Sequence, residues 1–239
     1  MTDEEKFIES LYEEAENELK KVYSQQKESR DELLKEIAMI MLTYTILDGL
    51  MNIKKNDKDE IYKKLSELII INYKNISNKE VEVLNNILET TVKKTFNFYS
   101  YNSGLKDVRK IVESNFKGKH FSERVWENEN EVAKYLHKQV NNFLNGKINV
   151  NQIKKDIEKT FNTSAYNAKR LVTTEVSRCQ NEAFRKLCEE TNVKKVKRNA
   201  ILDSKTCDDC YPLNGRVYEL KDMPQISHPM CRCFYEVYE

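Results

Sequence analysis

Glycine and proline are scarce: five and three in 239 residues, and the prolines, Pro212, Pro224 and Pro229, all follow residue 211. With the two strongest interrupters of regular structure nearly missing, the first two hundred positions have few places to end a helix, which excludes a loop-rich or many-turned β fold there. Long apolar runs are lacking as well. The longest, around Ile37 to Leu50, is broken by Thr43, Thr45 and Asp48 and falls short of the roughly twenty residues that cross a bilayer. The opening MTDEEKFIES has neither the basic start nor the apolar centre of a secretory signal, so a reducing cytoplasm is the expected setting. Paired cysteines in such a compartment are more often metal ligands or redox centres than structural disulfides. Excess charge of one sign is missing too. With 40 Lys and Arg against 39 Asp and Glu, the net charge is +1, and the overall field makes no case for nucleic acid.

What is present is helical periodicity. Thr2 and Glu5 form a capping box ahead of Phe7, Leu11, Ala15, Leu19, Val22 and Tyr23 at three- and four-residue spacing. The same signature at Ser29/Glu32 and at Ser77/Glu80 predicts two further helix starts, with another helix over 58–73 between them. Residues 100–122 carry loop punctuation around a short helix at Leu105 to Val112. Trp126, Val132, Leu136, Val140 and Phe143 mark a helix that stops at Asn145-Gly146. These segments predict a bundle whose Ile, Leu and aromatic side chains pack its core. His120 and His137 receive no role.

Beyond Gly146 the pattern changes, and the chain divides into a helical region, 1–146, and a second domain, 147–239. Ala168, Leu171, Val172, Val176, Ala183 and Leu187 predict one long helix from about 165 to 190, in which Cys179 and Cys188 read as small buried hydrophobes. Residues 193–202 then read as a basic strand, and 216–220 and 233–238 as short strands of a small antiparallel sheet. The predicted fold is mainly α: a helical N-terminal region with a small α+β C-terminal domain built from a long helix, a short antiparallel sheet and Cys/His knuckles.

Two features of this tail carry chemistry. Residues 147–200 hold thirteen Lys and Arg against six Asp and Glu. Within that stretch Lys194, Lys195, Lys197 and Arg198 form a cluster that is either a solvated face or a contact surface for phosphate or an acidic partner, and Arg216 and Arg232 are further candidates. The second feature is Cys207-x2-Cys210, followed by His228-x2-Cys231-x-Cys233. Two ligand pairs of x2 spacing joined by a hairpin-length segment suit tetrahedral Zn(II). Cys207, Cys210, His228 and Cys231 are the preferred four. On a strand Cys233 shares a face with Cys231 and can replace a member of the second pair. A redox C-x-x-C or unmetallated buried thiols stay open as alternatives. A surplus of ligands favours a closed structural site that staples a tail too small to hold a core alone, with Asp203 and Thr206 shaping the turn. No enzymatic activity is expected. The competing readings are a metal-dependent nuclease, with His228 and Glu219 or Glu236 nominated as base, and a zinc-containing sequence-specific DNA binder, for which no base-reading helix is evident.

The ordered set TTEVSRCQNEAFR, a basic strand, DSKTCDDCYPLNG and HPMCRC resembles the C-terminal domain of the phage Mu protein F-like minor head proteins, the head-morphogenesis family of tailed bacteriophages. The likeness covers about residues 150–237. It implies a low-copy minor capsid protein of a phage or prophage. Its partners would be the portal protein and procapsid or scaffold components, and it would touch packaged DNA without sequence preference. It would sit inside the capsid or at the portal vertex, and in the host cytoplasm during assembly. The resemblance also implies that Cys207, Cys210, His228, Cys231 and Cys233 occupy the family's metal-binding positions, and that Thr174, Glu175, Arg178 and Asn181 belong to the helix preceding them. Thr173 stands where the family usually has Arg, so no contact of that arginine carries over.

Overall fold

A computed structural model describes residues 2–102, 104–203, 206–226 and 228–238. Five α-helices account for most of them: α1 (Asp3–Thr43), α2 (Lys55–Phe98), α3 (Leu105–Val112), α4 (Phe121–Leu144) and α5 (Val150–Glu190). A hairpin of β1 (Thr45–Leu47) and β2 (Leu50–Asn52) separates α1 from α2, and β3 (Lys195–Asn199), β4 (Val217–Glu219) and β5 (Phe234–Val237) follow α5. Short 3-10 turns lie at Tyr211–Leu213 and Leu220–Asp222. The architecture is the mainly helical one with a small antiparallel sheet near the C-terminus.

The Thr2/Glu5 box is formed: the Thr2 amide donates to Glu5 at 2.7 Å and the Glu5 amide to the Thr2 hydroxyl at 3.1 Å. The other two boxes start nothing, and the helices expected from them are corrected to the interiors of α1 and α2. In α1 the buried positions Ile8, Leu11, Ala15, Leu19, Val22, Gln26, Ser29, Leu33, Ile37 and Ile40 keep unbroken three- and four-residue steps. With no Gly or Pro to bend the backbone out of the helix, Ser29 lies in the buried stripe instead of capping. Ser77 and Glu80 do the same in α2.

The chain packs as two compact units, each assembled from separate stretches: 20–81 with 122–168, and 1–19 with 82–121 and 169–239. In the first, stretches of α1, α2, α4 and α5 bury an apolar core that includes Leu33, Ile37, Ile69, Leu136, Phe143 and Ile157. Asp48 and Gly49 both have positive φ, 51° and 78°, which lets the β1–β2 hairpin turn in two residues. Helix α4 ends where expected, at a left-handed Gly146 (φ 66°), with the Lys147 amide bonded back to Asn142 at 2.9 Å. The Asn149 side chain accepts from the Gln152 amide at 2.9 Å and starts α5 fifteen residues earlier than the periodicity predicts.

In the second unit β3 is the central strand, antiparallel to β4 on one side and β5 on the other, with Val196 opposite Tyr218 and Val237. Phe184, Leu187 and Cys188 of α5 bury against Val196, Met223 and Tyr235, so the helix packs on the sheet. Fully burying a side chain such as Phe184 contributes about 1.5–3 kcal/mol.

Candidate metal centre

The chain leaves β3 and turns at Asp203. The Thr206 hydroxyl donates to the Ile201 carbonyl at 2.6 Å and accepts from the Asp203 amide at 2.9 Å, which shapes the turn as the sequence suggests. Cys207 then opens a helical turn, its carbonyl accepting from the Cys210 and Tyr211 amides, both at 3.1 Å. Leu213-Asn214-Gly215 returns the chain to the sheet: Gly215 takes φ 78°, its amide donates to the Arg198 carbonyl at 2.7 Å, and Asn214 Oδ1 accepts from the Ala200 amide at 2.8 Å. The second knuckle is tighter. Met230 is forced to φ 61°, a conformation that costs a side-chain-bearing residue roughly 1–2 kcal/mol, and the Cys231 amide bonds the His228 carbonyl at 3.3 Å. An Arg232–Asp203 ion pair ties the two knuckles together.

The five predicted donors fall into two groups joined at Cys210. Cys207 Sγ and Cys210 Sγ lie 3.0 and 3.1 Å from His228 Nε2, and Cys210 Sγ lies 3.7 Å from Cys231 Sγ. They form two triads that share Cys210: Cys207, Cys210 and His228, and Cys210, Cys231 and Cys233, each with its ligand atoms within 4.8 Å of one another. Three observations test whether a metal fits. The Cys210–Cys231 separation equals the edge of about 3.7 Å that two thiolates span on tetrahedral zinc. His228 Nδ1 lies 2.8 Å from the Pro229 carbonyl, which can only accept, so Nδ1 donates there and Nε2 is the ring atom that faces the sulfurs. A cavity of about 20 Å³ lies among Cys207, Cys210, His228, Cys231 and Cys233, room for about one small atom. Soft sulfur donors with one imidazole are the donor set zinc prefers.

The thiols are unequal. The hydrogen bond with Cys233 holds the Cys231 thiol below its ordinary range and holds the Cys233 proton correspondingly tighter. Burial pushes Cys210 up to about 11. Cys179 and Cys188 are buried in α5, and burial pushes both up to about 12, as expected of inert core thiols.

The basic cluster divides. Lys194 and Lys195 are exposed, with Lys195 3.8 Å from Glu219, and half-buried Lys197 pairs with Glu236 at 2.5 Å. Arg198 departs from the expected contact surface: it is 2% exposed and points into the sulfur cluster, Nη2 lying 3.7 Å from Cys210 Sγ and 4.0 Å from Cys231 Sγ. Strand alternation is the signal that identifies it, because Arg198 shares the face of buried Val196. Arg216 is exposed. The nominated bases Glu219 and Glu236 serve instead as the partners of Lys195 and Lys197.

Helix α5 holds this assembly through the residues matched to the family's helix. The Thr174 hydroxyl accepts from the strained Met230 amide at 3.0 Å, and Asn181 Nδ2 donates to the Cys233 carbonyl at 3.1 Å. Arg178 forms a buried pair with Glu175 at 2.6 Å, both side chains 2% exposed. It also donates to the Ile111 and Val112 carbonyls at the end of α3, at 2.9 and 3.3 Å, the former shared with Ser114.

Residues 131–236 match the family described as phage Mu protein F like protein. This part of the chain is similar to that family, and α5, the cysteine–histidine centre and all of the sheet but Val237 lie within the matched stretch. No curated protein and no solved structure matches the chain.

Proposed function

We propose that the protein is a minor capsid, head-morphogenesis protein of a tailed phage or prophage, structural and not catalytic, with a zinc ion closing its C-terminal domain. The family match suggests the class. The observation that carries the zinc is the convergence of five donors from two distant turns with His228 Nε2 presented to the sulfurs. Cys207, Cys210, His228 and Cys231 are the proposed ligands, with Cys233 as the neighbour that hydrogen-bonds Cys231. Held this way, the ion contributes folding free energy to a segment with little apolar core of its own. In this reading residues 147–239 form the head-morphogenesis domain and 1–146 a helical region that engages the portal or other procapsid components. Lys194, Lys195 and Lys197 are the candidate contacts for packaged DNA or an acidic partner surface, without sequence preference.

Metal analysis of the purified protein beside Cys207→Ser tests the centre. About one zinc per chain in the wild type and a large loss in the variant are expected, and zinc near zero in both removes the staple. For the class, a portal gene upstream and scaffold and major capsid genes downstream are the expected neighbours. A locus without them counts against it.

A further inference from the structure

Arg198 is a buried cation in an unusual place. It comes from the central strand β3, next to Lys197, whose charge is neutralised by Glu236, while its own guanidinium turns under the sheet to the sulfurs. Burying a guanidinium without a counter-charge is costly, and Arg does not shed its proton to escape that cost. Arg198 Nη2 lies against the sulfurs of Cys210 and Cys231, where thiolate charge offsets that cost. The converse holds for the centre. Three or four thiolates carry more negative charge than a divalent ion cancels, and a net anionic cluster in a dry site needs a cation nearby.

We infer that Arg198 is the outer-sphere counter-charge of the cysteine–histidine centre, donating N–H···S hydrogen bonds to Cys210 and Cys231 and setting how tightly the centre holds zinc. The inference rests on the zinc reading above and assigns Arg198 as a positioning residue, not a ligand. Cys210 is common to both donor triads, so a group that hydrogen-bonds its sulfur acts on both. N–H donors on a metal thiolate reduce its charge density and fix its lone pairs, the outer-shell effect that typically changes metal affinity by about 10–100-fold.

The test measures zinc affinity of the full chain by competition with a chromogenic chelator for wild type, Arg198→Lys and Arg198→Met, with Lys194→Met as the exposed-charge control. Wild type and the control should agree. Arg198→Lys, which keeps the charge, should stay within about threefold, and Arg198→Met should weaken zinc by at least about tenfold. Cobalt substitution adds a second readout: the sulfur-to-cobalt charge-transfer band should shift in Arg198→Met, whereas a merely structural loss would lower its amplitude without moving it. Equal affinity of wild type and Arg198→Met overturns the inference while leaving zinc binding intact. If Arg198→Met does not fold, Arg198→Lys decides alone, since a tenfold loss in that variant refutes a role based on charge. Wild-type protein that takes up no zinc at all refutes the underlying zinc reading instead.

Discussion

Replacing Glu129 by Gln should stabilise the protein at neutral and alkaline pH. Glu129 on α4 is 1% exposed, and one oxygen accepts from the Ser164 hydroxyl at 2.6 Å while the other has no partner among the described residues. Ser164 in turn accepts from Gln26 at 2.7 Å. Glu80 on α2 is equally buried, with neither oxygen partnered among the described residues, and the Glu129 charge adds to the cost of ionising it. Burial raises the Glu129 carboxyl from 4.5 to about 7, against the opposing pull of the Ser164 hydrogen bond. Between those values the folded chain keeps a proton that the unfolded chain has released. Stability therefore falls as pH rises through that window, and the full cost is in place above it. At 1.36 kcal/mol per unit the loss is about 3 kcal/mol, or roughly 6–12 °C in melting temperature for a chain of this size. Burial raises the Glu80 carboxyl too, which adds a loss of the same sign. Glu129→Gln keeps the acceptor for Ser164 and abolishes the ionisation. Denaturant midpoints from about pH 5 to pH 8, at constant metal loading, should decline in the wild type and decline less in the variant. A wild-type profile that is flat across this range, or parallel slopes for the two proteins, would refute the reasoning.

Two further substitutions probe the frame around the centre. Arg178→Met leaves the Glu175 carboxylate buried beside an apolar chain and removes the guanidinium bonds to the Ile111 and Val112 carbonyls, so a loss of about 3–5 kcal/mol is expected in chemical denaturation. Gly146→Ala places a Cβ 3.0 Å from the Met51 carbonyl at a φ of 66°, and should cost about 1 kcal/mol or more while leaving zinc content unchanged.

Composition and periodicity carry the helices because the information is local: apolar residues at three- and four-residue steps, and few breakers. They mislead where a local motif depends on what precedes it. Ser29/Glu32 and Ser77/Glu80 have the residue types of a cap, but a cap also requires the backbone to leave the helix just before it, and nothing at those positions makes it do so. The β1–β2 hairpin was readable from Asp48-Gly49 between Ile46, Leu47, Leu50 and Met51, a two-residue turn signal hidden inside an apolar run that resembles helix. At the centre, the candidate donors are legible from spacing, because cysteines separated by two residues can share one ion. The inward turn of Arg198 follows from strand alternation, which charge counting overlooks in a stretch where four of five residues are basic. The hydrogen bonds from Thr174 to Met230 and from Asn181 to Cys233 join positions 56 and 52 residues apart, and no local pattern encodes such a pairing.

Those two bonds have a consequence for how sequences of this kind can vary. Thr174, Arg178 and Asn181 are graduations on a ruler: each residue added to α5 between them rotates the rest by about 100° and shifts it by about 1.5 Å. A single insertion there would detach either the knuckle at Met230 or the strand at Cys233, whichever lay beyond it. The spacing from Thr174 to Asn181 should therefore stay fixed even where the intervening side chains drift.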